Sequence, residues 1–134
     1  AGRAHAGDGR RSGSVKNELE MPLLKIQTNQ AIDADRQKHL ISKASQEVAA
    51  MLGKPERYVM TSVETSPAMQ FAGEDTPLAY LELKSIGLPE SATADVSKAL
   101  CELVTTATGI ATDRIYIEFT DAPRKMWGWN GGTF

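Results

Sequence analysis

Pro22 could offer the most unusual reactive group in this chain, because it directly follows a methionine. The pair Met21-Pro22 indicates that the natural protein begins here, and that loss of Met21 leaves Pro22 first, with an unacylated secondary amine. Such an amine is normally protonated near neutral pH, and in that form it cannot accept another proton. Burial against apolar groups and a nearby cation would both lower the pKa of such an amine. The functional hypothesis for this chain depends on this amine.

The candidate site residues also have purely structural interpretations. Pro22 fits the start of an edge strand. Lys54 fits the end of a helix, where a cation pairs with the negative end of the helix dipole. Tyr116 and Glu118 are further candidates for a site, but a cross-strand aromatic contact and an interface ion pair would explain them as well.

The composition is that of one globular domain with no signature of nucleic-acid or membrane binding. The 134 residues are 41% hydrophobic and 24% charged, with a net charge of −2, and no apolar run approaches the roughly 18 residues that span a bilayer. Residues 21–134 carry about −3, which offers no basic surface to nucleic acid. The single cysteine, Cys101, excludes an intrachain disulfide and fits a reducing, cytoplasmic location. We expect it to be a small residue in or near the core.

Residues 1–20 differ in composition from the remainder. They are rich in Gly, Ala, Arg and Ser, with Val15 and Leu19 as their only bulky aliphatics, and this composition predicts disorder. The segment lacks the apolar centre of a secretory signal, so any release from the cell would occur without a signal peptide. We interpret it as a vector-derived leader, with a natural basic arm as the alternative. His5 in this segment and His39 are both expected to be solvated.

Hydrophobic periodicity and turn residues predict four strands and two helices in the order strand, helix, strand, strand, helix, strand. A glycine follows each predicted helix, at Gly53 and at Gly109, as is common at helix C-termini. The predicted strands lie within 21–29, 58–64, 78–86 and 114–120, and the predicted helices cover 33–52 and 93–108.

The two halves of the chain repeat. Gly53 corresponds to Gly109 and Arg57 to Arg114, which gives a period of about 56 residues. A right-handed crossover in each half would make its two strands parallel and place its helix on one face. The sequence therefore predicts an α+β fold, in which two pseudo-repeated β-α-β units form a four-stranded mixed sheet with both helices on one face.

The opposite face of this sheet is predicted to be uncovered. In the fourth strand, Ile115, Ile117 and Phe119 would face the helices, so Tyr116 and Glu118 would point to the uncovered face. This face also carries apolar and aromatic side chains, namely Leu23, Tyr58, Met60 and Tyr80. A surface of that kind marks a contact site, so we expect another subunit to cover it.

Six short motifs occur in order along residues 21–134. They are Pro22 after Met21, Gly53-Lys54-Pro55, Pro67-x-Met69, Lys84-Ser85-Ile86-Gly87, Asp113-Arg114-Ile115-Tyr116-Ile117 and the ending Gly128-Trp129-Asn130-Gly131-Gly132-Thr133-Phe134. Together they resemble the macrophage migration inhibitory factor branch of the tautomerase superfamily, and the ending is most similar to plant and cyanobacterial members. The resemblance implies a homotrimer that assembles through the sheet and has three sites at subunit interfaces. It implies no metal or organic cofactor, and keto–enol tautomerisation of aryl pyruvates such as phenylpyruvate.

The resemblance also implies a role for each site residue. Pro22 would be the general base and then the acid, with Leu23 in the apolar wall around it. Lys54 would hold the substrate carboxylate and stabilise the developing enolate, and the backbone N–H of Ile86 would add a donor. Aromatic residues would form the aryl pocket: Tyr116 from a neighbouring subunit, Trp127 and Phe134.

Two positions depart from the pattern of the animal cytokines. Glu118 replaces an asparagine, and its carboxylate would repel an anionic substrate unless paired, for which Arg124 and Lys125 are candidates. Trp127 replaces a small aliphatic residue and would narrow or reshape the mouth of the pocket. Both substitutions affect which substrate is preferred.

Three functional hypotheses follow from these residues. The first is a tautomerase, which we expect to be inactive while residues 1–21 remain attached, because the nitrogen of Pro22 is then an amide. The second is a signalling or receptor-binding trimer whose pocket is incidental. The third is a related hydrolase or dehalogenase that activates water, which would need additional cationic groups around the carboxylate, with Arg124 and Lys125 as the only nearby candidates.

Overall fold

A computed structural model describes residues 21–134 of the chain. The predicted leader, residues 1–20, and His5 within it lie outside the described residues. The strands are β1 (Leu23–Thr28), β2 (Met60–Thr65), β3 (Ala79–Ile86), β4 (Ile115–Ala122), β5 (Gly128–Trp129) and β6 (Gly132–Thr133), and the α-helices are α1 (Ala34–Leu52) and α2 (Thr93–Thr108). Neither helix is long and apolar enough to cross a membrane.

The main sheet has four strands in the order β2-β1-β3-β4. Strand β1 is parallel to β2 and antiparallel to β3, and β3 is parallel to β4. The sheet is therefore mixed, and each parallel pair is joined through one helix. This confirms the predicted α+β fold of two β-α-β units.

Each helix begins and ends where the sequence predicted. The Asp33 side chain accepts a hydrogen bond from the Arg36 N–H at 2.9 Å, which satisfies one of the unpaired donors of the first turn of α1. Gly53 and Gly109 follow α1 and α2 with φ angles of +65° and +81°, in the left-handed region where a side chain is unfavourable. Local signals therefore mark both ends of α1 and the C-terminal end of α2.

The hydrophobic core lies between the sheet and the two helices. Alternate residues of β1 and β3 point into it, because successive side chains of a strand face opposite sides. The fully buried members include Leu24, Leu81, Leu83, Leu100 and Val48. Ile115 is buried, and Ile117 and Phe119 pack against the same cluster, as predicted. On the opposite face, Met60 and Tyr116 are 66% and 65% exposed.

Some of the predicted strand boundaries were wrong. Tyr58 lies in a 3₁₀ turn, Glu56–Tyr58, and β2 begins only at Met60. Pro55 begins this turn, since its carbonyl accepts the Tyr58 N–H at 3.1 Å. A second 3₁₀ turn, Thr112–Arg114, likewise precedes β4, which extends to Ala122. Strand β3 begins one residue later than predicted, at Ala79.

Candidate active site

Pro22 is buried at the end of the sheet where β1 begins. Its side chain is less than 2% exposed, and its carbonyl accepts the Met60 N–H at 3.0 Å. Leu23, which follows it, is half-buried and lies opposite Lys84 in β3. Continuing this antiparallel register places Pro22 beside the buried end of β3, which includes Ile86. In the 134-residue chain the Pro22 nitrogen belongs to the peptide bond with Met21.

Lys54 lies at the same end of the sheet. It is half-buried and follows the glycine that ends α1, where its backbone N–H donates to the Ala49 carbonyl at 2.9 Å. The segment from Lys54 to Val59 leads from the helix into β2, the parallel neighbour of β1. The topology therefore brings Lys54 and Pro22 to the same edge of the molecule.

Three rings form an aromatic wall at this end: Tyr58, Trp129 and Phe134. The Trp129 ring meets the Tyr58 ring edge-on, with 6.0 Å between centroids, and lies parallel to the Phe134 ring at 6.1 Å. Cations flank the wall, with the Arg57 guanidinium 4.8 Å from the Tyr58 centroid and the Arg124 guanidinium 5.9 Å from that of Phe134. An apolar wall with flanking positive charge suits an anionic aromatic ligand.

The wall depends on a hairpin that the sequence analysis did not predict. Strands β5 and β6 pair around Asn130 and Gly131, whose φ angles of +53° and +80° are typical of tight hairpin turns. The Phe134 N–H donates to the Trp127 carbonyl at 3.3 Å, which closes the hairpin. The Asn-Gly pair is itself a strong hairpin signal and could have revealed the turn.

The sequence analysis named Trp127 for the aryl pocket but neither Trp129 nor Tyr58, which the structure brings together in the aromatic wall. Trp127 is half-buried, and the wall contacts are made by Trp129, two residues later. The two tryptophans lie on a segment without periodicity, so no sequence pattern distinguishes between them. The prediction that Tyr58 belongs to the second strand was wrong, because Tyr58 lies in the turn before β2 and its ring joins the wall.

Tyr116 lies far from Pro22 within one chain. The strand register places Tyr116 opposite Tyr80, and Tyr80 opposite Gln27, which is four residues further along β1 than Leu23. At the usual strand spacing and rise per residue, the Cα atoms of Leu23 and Tyr116 are about 16 Å apart. One copy of the chain therefore does not bring Tyr116 to Pro22.

Glu118 has a hydrogen-bond partner on the neighbouring strand. The Tyr80 hydroxyl donates to Glu118 Oε1 at 2.9 Å. This hydrogen bond, with smaller contributions from burial and from Glu82, raises the pKa of Tyr80 to about 12. Glu118 faces the exposed side of the sheet, as predicted, but its tyrosine partner was not anticipated.

His39 and Cys101 lie where the sequence analysis predicted. His39 is exposed on α1, as predicted. Cys101 packs against the core, and burial raises the pKa of its thiol, which disfavours the reactive thiolate. Within residues 21–134, no group of three or more His, Cys, Asp or Glu side chains is placed to hold a metal ion.

Comparisons with known proteins identify the family. A family model described as macrophage migration inhibitory factor (MIF) matches residues 21–134. The chain is 34% identical to mouse macrophage migration inhibitory factor, over 85% of this chain and 99% of the mouse protein. It is 39% identical to a homologue from Brugia malayi, with the same coverage.

Solved structures of the same family share the fold. The homologue from Prochlorococcus marinus is 45% identical, with a TM-score of 0.79 over 84% of this chain and 98% of that one. The protein from Entamoeba histolytica is 28% identical, with a TM-score of 0.80 over 85% of this chain and 99% of its own. These matches confirm the expected likeness to a cyanobacterial member. The chain belongs to the macrophage migration inhibitory factor family, within the tautomerase superfamily.

Proposed function

We propose that this chain, once it begins at Pro22, is a keto–enol tautomerase of aryl pyruvates such as phenylpyruvate. The observation that carries the proposal is the burial of Pro22 at the end of the sheet that also holds Lys54 and the aromatic wall. A base, a cation and an apolar aromatic surface are the groups that a 2-oxo acid with an aryl side chain requires.

Pro22 is the proton carrier in this mechanism. Its nitrogen takes a proton from C3 of the keto acid, so the C3–H bond breaks, and delivers the proton to the carbonyl oxygen, so an O–H bond forms. Both steps require an amine that is neutral at the start of the reaction. A secondary amine buried among apolar groups and close to a cation is deprotonated more easily than one in water.

Lys54 binds the charged part of the substrate. Its ammonium holds the carboxylate and stabilises the negative charge that develops on the enolate oxygen. The backbone N–H of Ile86, at the end of β3, supplies a second donor. The Lys54 residue is half-buried, and a charge near a partly buried surface is screened less by solvent than a fully exposed one.

The aryl group requires surfaces from two subunits. Tyr58, Trp129 and Phe134 line one side of the pocket. Tyr116 completes it from a neighbouring copy, because within one chain it lies too far from Pro22. The exposed Met60 and Tyr116 on the uncovered sheet face support an assembly through that face, which we propose is a homotrimer.

The proposal is tested by phenylpyruvate enolisation with protein that starts at Pro22, its N-terminus verified by intact mass. Pro22→Gly keeps a terminal amine but removes the ring that fixes its position, so kcat should fall by up to about 100-fold, as expected when a reacting group is misplaced by about 1 Å. Lys54→Gln should lower kcat/KM about 10-fold or more, because a hydrogen bond to a charged group is lost.

Lys43→Gln is the matched control for Lys54. It removes the same charge from a lysine on α1 that forms an exposed pair with Glu47 at 3.9 Å, so activity should stay within about twofold of the parent. Unchanged turnover in the Pro22→Gly variant would contradict the assignment of the base.

A second candidate function is a signalling or receptor-binding trimer. The name of the mouse relative describes an action on macrophage migration, and a binding function of that kind would not need proton transfer. The Pro22→Gly variant separates the two functions, since receptor binding should survive while catalysis falls.

A further inference from the structure

The segment between β2 and β3 contains a tight turn that needs external support. Phe71 and Glu74 exchange two backbone hydrogen bonds, of 2.9 and 3.1 Å. The two residues between them, Ala72 and Gly73, have φ angles of +57° and +75°. The left-handed region is unfavourable for alanine. Contacts from other elements therefore help to offset the unfavourable backbone at Ala72.

Arg114, in the turn directly before β4, supplies such contacts. Its guanidinium donates to four backbone carbonyls. The distances are 2.8 Å to Phe71, 3.2 Å to Glu74, 3.0 Å to Thr76 and 3.3 Å to Pro77. A guanidinium carries five N–H donors in one rigid plane, so it can satisfy several carbonyls at once. A lysine ammonium cannot reproduce that planar arrangement.

The same guanidinium is connected to Tyr116 through one ring. It lies 5.0 Å from the centroid of the Phe71 ring. That ring lies 4.6 Å from the Tyr116 ring, tilted by 41°. Since Tyr116 is otherwise largely exposed, its contact with Phe71 restricts the directions that its side chain can take.

We propose that Arg114 is a positioning residue, which holds Phe71 in place and thereby sets the orientation of Tyr116 toward the substrate. The inference rests on the proposed function, in which Tyr116 of one subunit meets the aryl group bound at Pro22 of another. A ring already held in its bound orientation loses less freedom when the ligand arrives. Arg114 therefore governs how tightly an aryl group is held and leaves the proton transfer at Pro22 unaffected.

The first test is Arg114→Lys in protein that starts at Pro22. Exchange of the C3 hydrogens with D₂O, followed by proton NMR, measures turnover of phenylpyruvate and of 2-oxobutanoate, which has no aryl group. The KM for phenylpyruvate should rise about 3- to 10-fold, as expected for one weakened aromatic contact. Its kcat, and both constants for 2-oxobutanoate, should stay within about twofold of the parent values.

Two further variants separate this role from a general effect on the fold. In a Tyr116→Leu background, Arg114→Lys should have no further effect on KM, because the residue that it positions is gone. Arg36→Lys is the matched control, since its guanidinium donates to the Ala107 carbonyl at 3.3 Å on the helix side of the molecule. It should behave as the parent with both substrates.

Three outcomes would overturn the proposal: an unchanged KM for phenylpyruvate, an equal change with both substrates, or additive effects of Arg114→Lys and Tyr116→Leu. If Arg114→Lys does not fold, Phe71→Leu takes its place, because it removes the intervening ring and leaves the hydrogen bonds to the carbonyls intact. It should give the same selective rise in KM.

A readout independent of activity keeps this inference separate from the proposed function. In protein labelled with 3-fluorotyrosine, Arg114→Lys should shift the ¹⁹F resonance of Tyr116, identified with Tyr116→Phe, and leave that of Tyr58 in place. An unmoved Tyr116 resonance would refute the positioning role. If Arg114→Lys shifts the Tyr116 resonance but the parent protein shows no exchange activity, the Arg114–Phe71–Tyr116 coupling is upheld and the proposed tautomerase is refuted.

Discussion

Replacing Trp129 by leucine tests the aromatic wall most sharply. The substitution keeps an apolar side chain on β5 but removes both ring pairs of Trp129, at 6.0 Å to Tyr58 and at 6.1 Å to Phe134. Phe134 follows β6 and is held by its backbone hydrogen bond to Trp127 and by its stacking on Trp129. Losing the indole therefore loosens two of the three rings that we propose line the aryl pocket.

The size of the effect follows from the two aromatic pairs that the substitution removes. Each pair contributes about 0.5–1.5 kcal/mol beyond its buried area, so two pairs amount to about 1–3 kcal/mol. If that energy orients the wall for the aryl group, kcat/KM for phenylpyruvate should fall about 5- to 150-fold. A 2-oxo acid without an aryl group does not use the wall, so its kcat/KM should change less than about twofold.

The assay compares phenylpyruvate with 2-oxobutanoate in protein that starts at Pro22. Met126→Ala is the control, because it removes a large side chain that is 80% exposed from the same C-terminal segment. The kcat/KM of Met126→Ala should equal that of the parent with both substrates. Equal losses with the two substrates, or no loss with phenylpyruvate, would refute the assignment of Trp129 to the aryl pocket.

Three other predictions concern stability and titration. Leu100→Ala should lower the free energy of unfolding by about 2–5 kcal/mol in a urea titration, because Leu100 is fully buried between helix and sheet. Gly53→Ala should lower the free energy of unfolding by about 1–2 kcal/mol in the same titration, because alanine is unfavourable at a φ of +65°. Gly132→Ala should be nearly neutral, because Gly132 is not in the left-handed region and its added Cβ also meets open space. The hydrogen bond to Glu118 raises the pKa of Tyr80 to about 12. The contribution of this hydrogen bond to stability should therefore be complete below pH 10 and lost as the pH rises past about 12. Phenolate absorbance at 295 nm should show one tyrosine titrating late, and Glu118→Gln should move that titration to lower pH.

Local signals made the main elements predictable from the sequence. Asp33 and Gly53 mark the ends of α1, and the repeat around Gly109 predicted a second unit of the same topology. The alternation in β3 and β4 correctly assigned Ile117 to the core and Glu118 to the other face. Each of these features depends on residues close together in the chain or on a regular period.

The aromatic wall could not be predicted in the same way. Tyr58 and Trp129 are far apart in the sequence, and their contact depends on how the C-terminal hairpin packs against the end of the sheet. Strands of two residues have no periodicity to detect. Tyr58 was misplaced for a related reason, because a turn that begins at a proline overrode the strand preference of the residues that follow.

The central claim is that an unacylated Pro22 nitrogen is the catalytic base. The most direct measurement compares phenylpyruvate enolisation by the 134-residue chain and by protein that begins at Pro22, with both N-termini verified by intact mass. We predict that only the Pro22-initiated protein is active, with at least about 100-fold greater kcat, because an amide nitrogen cannot accept the proton. Comparable activity of the two forms would contradict the claim.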